Sequence, residues 1–150
     1  MTVRKRFALL IAGSAAALVI PMAASPAAAY EAASSCDLQL FGGSAIPDAG
    51  RVIASWNWAS DNQLTSVHLQ VKDSRKDGLT PAVRLVTKQR DGDTHNWSLH
   101  KNTGGSGTTA DWNTTATDSQ GIEFAWVQGE LLDGSTLVGL CQGAKIRNPD

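Results

Sequence analysis

From residue 30 onward the apolar side chains alternate with polar ones, and nowhere do they recur at i, i+3, i+4 and i+7 over a useful length. A period of two places successive side chains on opposite faces, so the pattern specifies half-buried strands and not helices. Val67, Leu69 and Val71 against His68, Gln70 and Lys72 are the clearest case, one face dry and one wet. Val52, Ala54, Trp56 and Trp58 share a face of the preceding strand, and Val83 and Leu85 begin the following one. Ile122, Phe124 and Trp126 read as one buried face of a late strand. Cys36, Leu38 and Leu40 open the series; Trp97 with Leu99, Ala110 with Trp112, and residues 135–141 complete it. Turn chemistry separates these runs at Gly42-Gly43, Pro47-Asp48-Ala49-Gly50, Asp61-Asn62-Gln63, Asp91-Gly92-Asp93 and Asp133-Gly134. About seven to nine short strands with regular turns define an all-β chain, expected as a single antiparallel β-sandwich with a closed β-barrel as the alternative.

Residues 1–29 have a different composition. Arg4, Lys5 and Arg6 precede an apolar run over 7–20, and a small-residue stretch ends in Ala27-Ala28-Ala29. This is the pattern of a secretory signal peptide, with cleavage expected before Tyr30. The apolar core is too short for a membrane anchor, and no second run of spanning length follows. The expected product is a secreted, extracellular domain over 30–150, about 120 residues, the size of one two-layer core. Removing the three basic residues of the leader leaves 10 basic against 14 acidic residues, a net charge of −4 in place of −1. A mildly acidic surface does not attract phosphate backbones, so nucleic acid is not an expected partner.

Cys36 and Cys141 stand one near each end of the mature chain. In an oxidising exterior a lone pair most simply forms one disulfide, with free thiols or an intermolecular bridge as the alternatives. Such a bond requires the first and last strands to lie side by side or to face each other across the core.

The residues that could carry chemistry give little. His95 and His100 are five apart, which on one strand points them to opposite faces, and no two histidines stand at i, i+2. A metal site is therefore not expected, and His68 reads as a solvated strand residue. Gly105-Ser106-Gly107 superficially matches the glycine-flanked serine of hydrolases, but no helix follows to make the strained elbow that exposes such a serine. Most acids sit in turns, where Asp bonds its own backbone, and Asp91-Gly92-Asp93 is too short for a calcium loop. No catalytic residue and no cofactor is assigned; the chain is read as non-enzymatic. Trp56, Trp58, Trp97 and Trp126 are read as core, each indole N–H with a partner, and Trp112 as balanced between core and exposed contact.

Binding remains, and in small β-domains it resides in loops. The candidate loops are 42–50, 73–80 and 101–109, the last flexible in composition around Gly104-Gly105-Ser106-Gly107. They supply Arg75, Lys76, Asp77, Asn102 and Ser106 as candidate contacts, with Trp112 beside them. The segment 30–35, with Tyr30, Glu31 and Ser35, is the second candidate. It is read as a tail released by cleavage and tethered at Cys36, free to dock into a partner's groove, to add to a sheet edge or to remain a disordered stub.

The Ala-rich leader, the single cysteine pair Cys36/Cys141 and the Trp-rich strands resemble the small secreted (Streptomyces-like) β-sandwich proteins of filamentous actinobacteria. In size and plan, residues 30–150 are similar to the small adaptor subunit of umbrella toxin particles. That resemblance implies a partner role, joining a lectin-bearing subunit to the toxin stalk in a multi-subunit extracellular complex, and it assigns no individual residues. The chain departs from the secreted subtilisin-inhibitor and chromoprotein-carrier families, which use two disulfides. The expected function is a secreted protein-binding adaptor. The rival is a carbohydrate-binding module for cell wall or polysaccharide, with Trp112 as the glycan contact.

Overall fold

A computed structural model of the chain describes residues 30–42 and 49–149; the leader expected over 1–29 and the centre of the 42–50 loop lie outside them. The described residues form ten strands and no helix. These are β1 (Tyr30–Asp37), β2 (Gly50–Ser60), β3 (Gln63–Asp73), β4 (Thr80–Gln89), β5 (Thr94–Asn96), β6 (His100–Lys101), β7 (Thr109–Thr117), β8 (Ile122–Asp133), β9 (Thr136–Gln142) and β10 (Ile146–Arg147). One antiparallel sheet runs β1-β2-β3-β7. The other has β4 and β8 at its centre, with β5 and β6 on the free side of β4, and β9 and β10 on the free side of β8. The two sheets stack as an open sandwich and do not close into a barrel.

Alternation builds the core between them. Val52, Ala54, Trp56 and Trp58 of β2, with Leu69 and Val71 of β3, face Val83 and Leu85 of β4 and Ala125, Val127 and Leu131 of β8. A shift of register at 65–66, where Ser66 takes a positive φ of 50°, keeps both Leu64 and Val67 inward. The outer face of the first sheet is wet, with Arg51 paired to Asp37, and His68 and Gln70 both on Asp111. His68 is thus the solvated strand residue its alternation implies.

Cys36 and Cys141 are bonded, with Cα atoms 5.9 Å apart. The bond ties β1, an edge of the first sheet, to β9, an edge of the second. The chain crosses from one sheet to the other at the same place: Leu38 is buried, and 39–41 then pair with β9 through Leu40 and Gly139. Cys36, Leu38 and Leu40 are therefore not one strand, as their alternation suggested, but the two sides of a corner. A disulfide of this kind is consistent with an oxidising or extracellular environment, and no helix among the described residues is long and apolar enough to cross a membrane.

Three further expectations are corrected. Segment 30–35 is not a free tail: every residue from Tyr30 to Asp37 pairs with β2, from Trp58 to Arg51, because the backbone groups of β2's outer edge would otherwise be unsatisfied. Ile122 and Trp126 do not share a face. Gln89 pairs with Ile122 but Lys88 with Phe124, so Glu123 is a bulge that inverts the alternation. Ile122 joins the core with Ala125 and Val127, while Trp126 turns to the opposite face, beside its pairing partner Val86 and under the Lys145 ammonium, 4.5 Å from the ring centroid. Lastly, the indole N–H groups of Trp56, Trp58 and Trp126 have no hydrogen-bond acceptor, and only Trp97 among the four expected core tryptophans donates one, to Thr87 Oγ1 at 3.1 Å. Trp56 and Trp58 instead pack edge to face at 6.0 Å.

Candidate functional site

The register fixes which loops share an end. Gly50 pairs with Asp73, Lys72 with Thr109, and Thr80 with Leu132. The β1–β2, β3–β4 and β6–β7 connections, the three candidate loops, therefore all leave the sandwich at one end, joined there by the β8–β9 hairpin. At the other end Tyr30 pairs with Trp58, and Ile146 and Arg147 pair with Ala125 and Phe124. Start and finish of the described chain thus lie opposite the loops.

Two buried polar side chains hold the loop end in shape. Asn102, only 3 % exposed, donates from Nδ2 to the Val71 carbonyl at 3.3 Å and the Thr108 carbonyl at 3.1 Å. Its Oδ1 accepts from the Gly104 amide at 3.0 Å and lies 3.1 Å from the Thr108 hydroxyl. Asp73 accepts from the Arg75 amide at 3.1 Å, and its own backbone exchanges bonds with Gly107 and Thr108. Asp77 caps the next turn by accepting from the Leu79 amide at 3.0 Å, and lies 3.7 Å from the Arg75 guanidinium. A segment that reads as flexible from its glycines is thus a hydrogen-bonded loop. The unpaired donors and acceptors left by leaving the ladder find partners in Asn102 and Asp73, which sequence alone presents only as turn residues.

Between the second and third loops lies a cleft of about 630 Å³, lined by Arg75, Lys76, Leu79, Thr103 and Ser106 among others. Phe41 and Leu137, 57 % and 41 % exposed, stand at the same end, because the backbone amide of Phe41 bonds to Val138 beside Leu137. Among the described residues the large apolar side chains this exposed are Tyr30, Phe41 and Leu137, and the last two share the loop end. Neither is a candidate of the sequence reading; Phe41 falls out of phase with Cys36, Leu38 and Leu40, on the side of Asp37 and Gln39.

The sequence candidates are accordingly divided. Arg75 and Lys76 meet Ser106 at the cleft, Asp77 stands in the same loop 3.7 Å from Arg75 without lining it, and Asn102 lines it as the brace of the loop. Tyr30 and Glu31 lie at the far end of β1, exposed, and Ser35 sits on the outer face, where its hydroxyl accepts from Arg51 at 2.8 Å. Trp112 is elsewhere again, on the inner face of β7 opposite Leu69, half-buried at the side of the sandwich away from the disulfide.

That side also gathers two of the three histidines, His95 and His100. Pairing puts His95 opposite Thr87 and His100 opposite Val83, positions of the same parity on β4. They share a face, contrary to the expectation for five residues along one strand, because 97–99 leave the strand and reset the alternation. Among the described residues no cluster of His, Cys, Asp and Glu could hold a metal ion. Asp118 is buried beneath His95. Burial pushes its carboxyl up, but hydrogen bonds from the Gln89 amide, His95 and the Gln120 backbone, with the charge on His95, together hold it below the ordinary value of 3.8.

No family model, no curated protein and no solved structure matches this chain. The fold and the site define an all-β sandwich with a braced loop end.

Proposed function

We propose that this protein is a secreted, non-enzymatic protein-binding module that serves as an adaptor in an extracellular complex, of the kind its plan resembles in umbrella toxin particles. The observation that carries the reading is the convergence of three loops at one end of a disulfide-closed sandwich. Rigid sandwiches place recognition loops this way because the sheets fix loop ends while loop sequences stay free to vary. Phe41 and Leu137 supply apolar anchors, and Arg75, Lys76 and Asp77 supply a charged rim, the composition of a protein interface core and edge. Loops braced by Asn102 and Asp73 lose less conformational freedom on binding than free ones. Tyr30 and Arg147 lie at the opposite pole, which leaves the loop end open to a partner while that pole can join other subunits.

The test is affinity purification of a C-terminally tagged protein from native culture fluid, the tag lying away from the loops. Secreted proteins should co-purify in stoichiometric amounts, and recovery should fall at least about tenfold for Phe41→Ala combined with Arg75→Ala and Lys76→Ala, as expected when interface anchors are truncated. Recovery of the bare monomer would overturn the reading.

A further inference from the structure

Opposite the disulfide, the sandwich is open between β7 of one sheet and β5 and β6 of the other. The mouth holds a cavity of about 240 Å³ whose floor is Leu69, Leu85 and Ala116. Trp97 and Trp112 line it from the two sheets, and Ser98, His100, Asn113 and Thr114 complete the wall. The polar side chains that face inward are hydroxyls and an imidazole, Asn113 turning its own to the outer face opposite His68; no carboxylate, ammonium or guanidinium lines the space. A charged ligand would be desolvated there without a counter-ion. A wholly apolar one would leave the hydroxyls without partners. The lining suits a neutral molecule with a C–H face and a hydroxyl edge.

The indoles are set before any ligand arrives. His95 stacks flat on Trp97, with ring centroids 4.4 Å apart and planes at 7°. The imidazole is itself held by Asp118, Nδ1 to Oδ2 at 3.0 Å, and Asp118 is fixed by Gln89 Nε2 at 2.9 Å and the Gln120 amide at 3.1 Å. Across the mouth His100 stacks on Trp112 at 5.0 Å. An aromatic platform whose orientation is already fixed loses little entropy on binding.

We propose that this groove binds one neutral pyranose unit of a glycan, its C–H face packed on Trp112 with Trp97 alongside, and its hydroxyls bonded to Ser98 and Thr114. His95 is a positioning residue, acting through Trp97. The site is separate from the loop end and goes beyond the protein-binding reading. It adds Trp97, which alternation assigns to the core, to Trp112 as a glycan contact.

The purified, disulfide-bonded protein would be titrated with chitotetraose, cellotetraose and maltotetraose while tryptophan emission is followed, and co-sedimented with insoluble peptidoglycan. The expected result is a saturable response to at least one of these four. Affinity should drop about tenfold or more for Trp112→Ala and for Trp97→Ala, and largely return in Trp112→Phe, which keeps a stacking face. His95→Ala should weaken binding less than Trp97→Ala. Absence of a response to all four probes overturns the proposal, as does binding unchanged in both alanine variants. Loss of protein capture from culture fluid in Trp112→Ala, with no glycan response in the parent, would instead assign the groove to a protein interface. Because loop variants leave this groove intact, failure here is distinguishable from failure of the loop-end reading.

Discussion

His95 lies flat against Trp97 while its Nδ1 stands 3.0 Å from the buried carboxylate of Asp118. The contact links an acid, an imidazole and an indole across two connections of the second sheet, and makes the fold sensitive to acid. A carboxyl held below 3.8 in the folded state contributes stability that is fully present above the unfolded value. That contribution is lost as pH falls through the lower, folded value, so unfolding should become easier below about pH 4. Thermal melts across this range should show the slope in the parent and a flatter one in Asp118→Asn, which cannot ionise. Equal slopes would exclude Asp118 as the titrating group.

The Cys36–Cys141 bond closes a separation of 105 residues between the edges of the two sheets. In the chain-entropy view, removing so long a cross-link costs about 4–5 kcal/mol, and native disulfides of small domains commonly cost roughly 2–5 kcal/mol. Denaturant midpoints of the parent, with and without reductant, should differ accordingly, and Cys36→Ser combined with Cys141→Ser should match the reduced protein. An unchanged midpoint would mean the corner at Leu38 holds the sheets without the bond.

Gly129 of β8 sits behind that corner. A Cβ there would approach Leu38 Cδ2 at 2.7 Å and Cys141 Sγ at 2.9 Å. Gly129→Ala should therefore destabilise the fold by about 1–3 kcal/mol through overpacking, although alanine normally favours a strand over glycine. Equilibrium unfolding in urea would measure the difference; a gain in stability would contradict the packing described.

Asn102 supplies the loop end with several hydrogen bonds at about 1 kcal/mol net apiece, so Asn102→Ala should cost roughly 2–3 kcal/mol. Exchange of the Gly104 and Thr108 amides should accelerate more than exchange in β2 or β3. Uniform acceleration across the molecule would point to a global role in place of a local brace.

Strict alternation is enough to specify part of the fold. Val52 to Trp58 and Val67 to Val71 settle both the existence of β2 and β3 and the face they bury, because a period of two over several residues leaves one register that hides the apolar set. The sequence also supplied the cysteine pair and the loops. Tertiary structure decided what alternation cannot count. One extra residue at Glu123 turns Trp126 away from the core, and the break at 97–99 brings His95 and His100 to one face. An unsatisfied edge of β2 draws in residues that read as a tail. The loop end and the groove share this origin: each joins residues from distant strands, and only pairing between strands, which sequence periodicity does not encode, places Arg75 beside Ser106 or Trp97 across from Trp112.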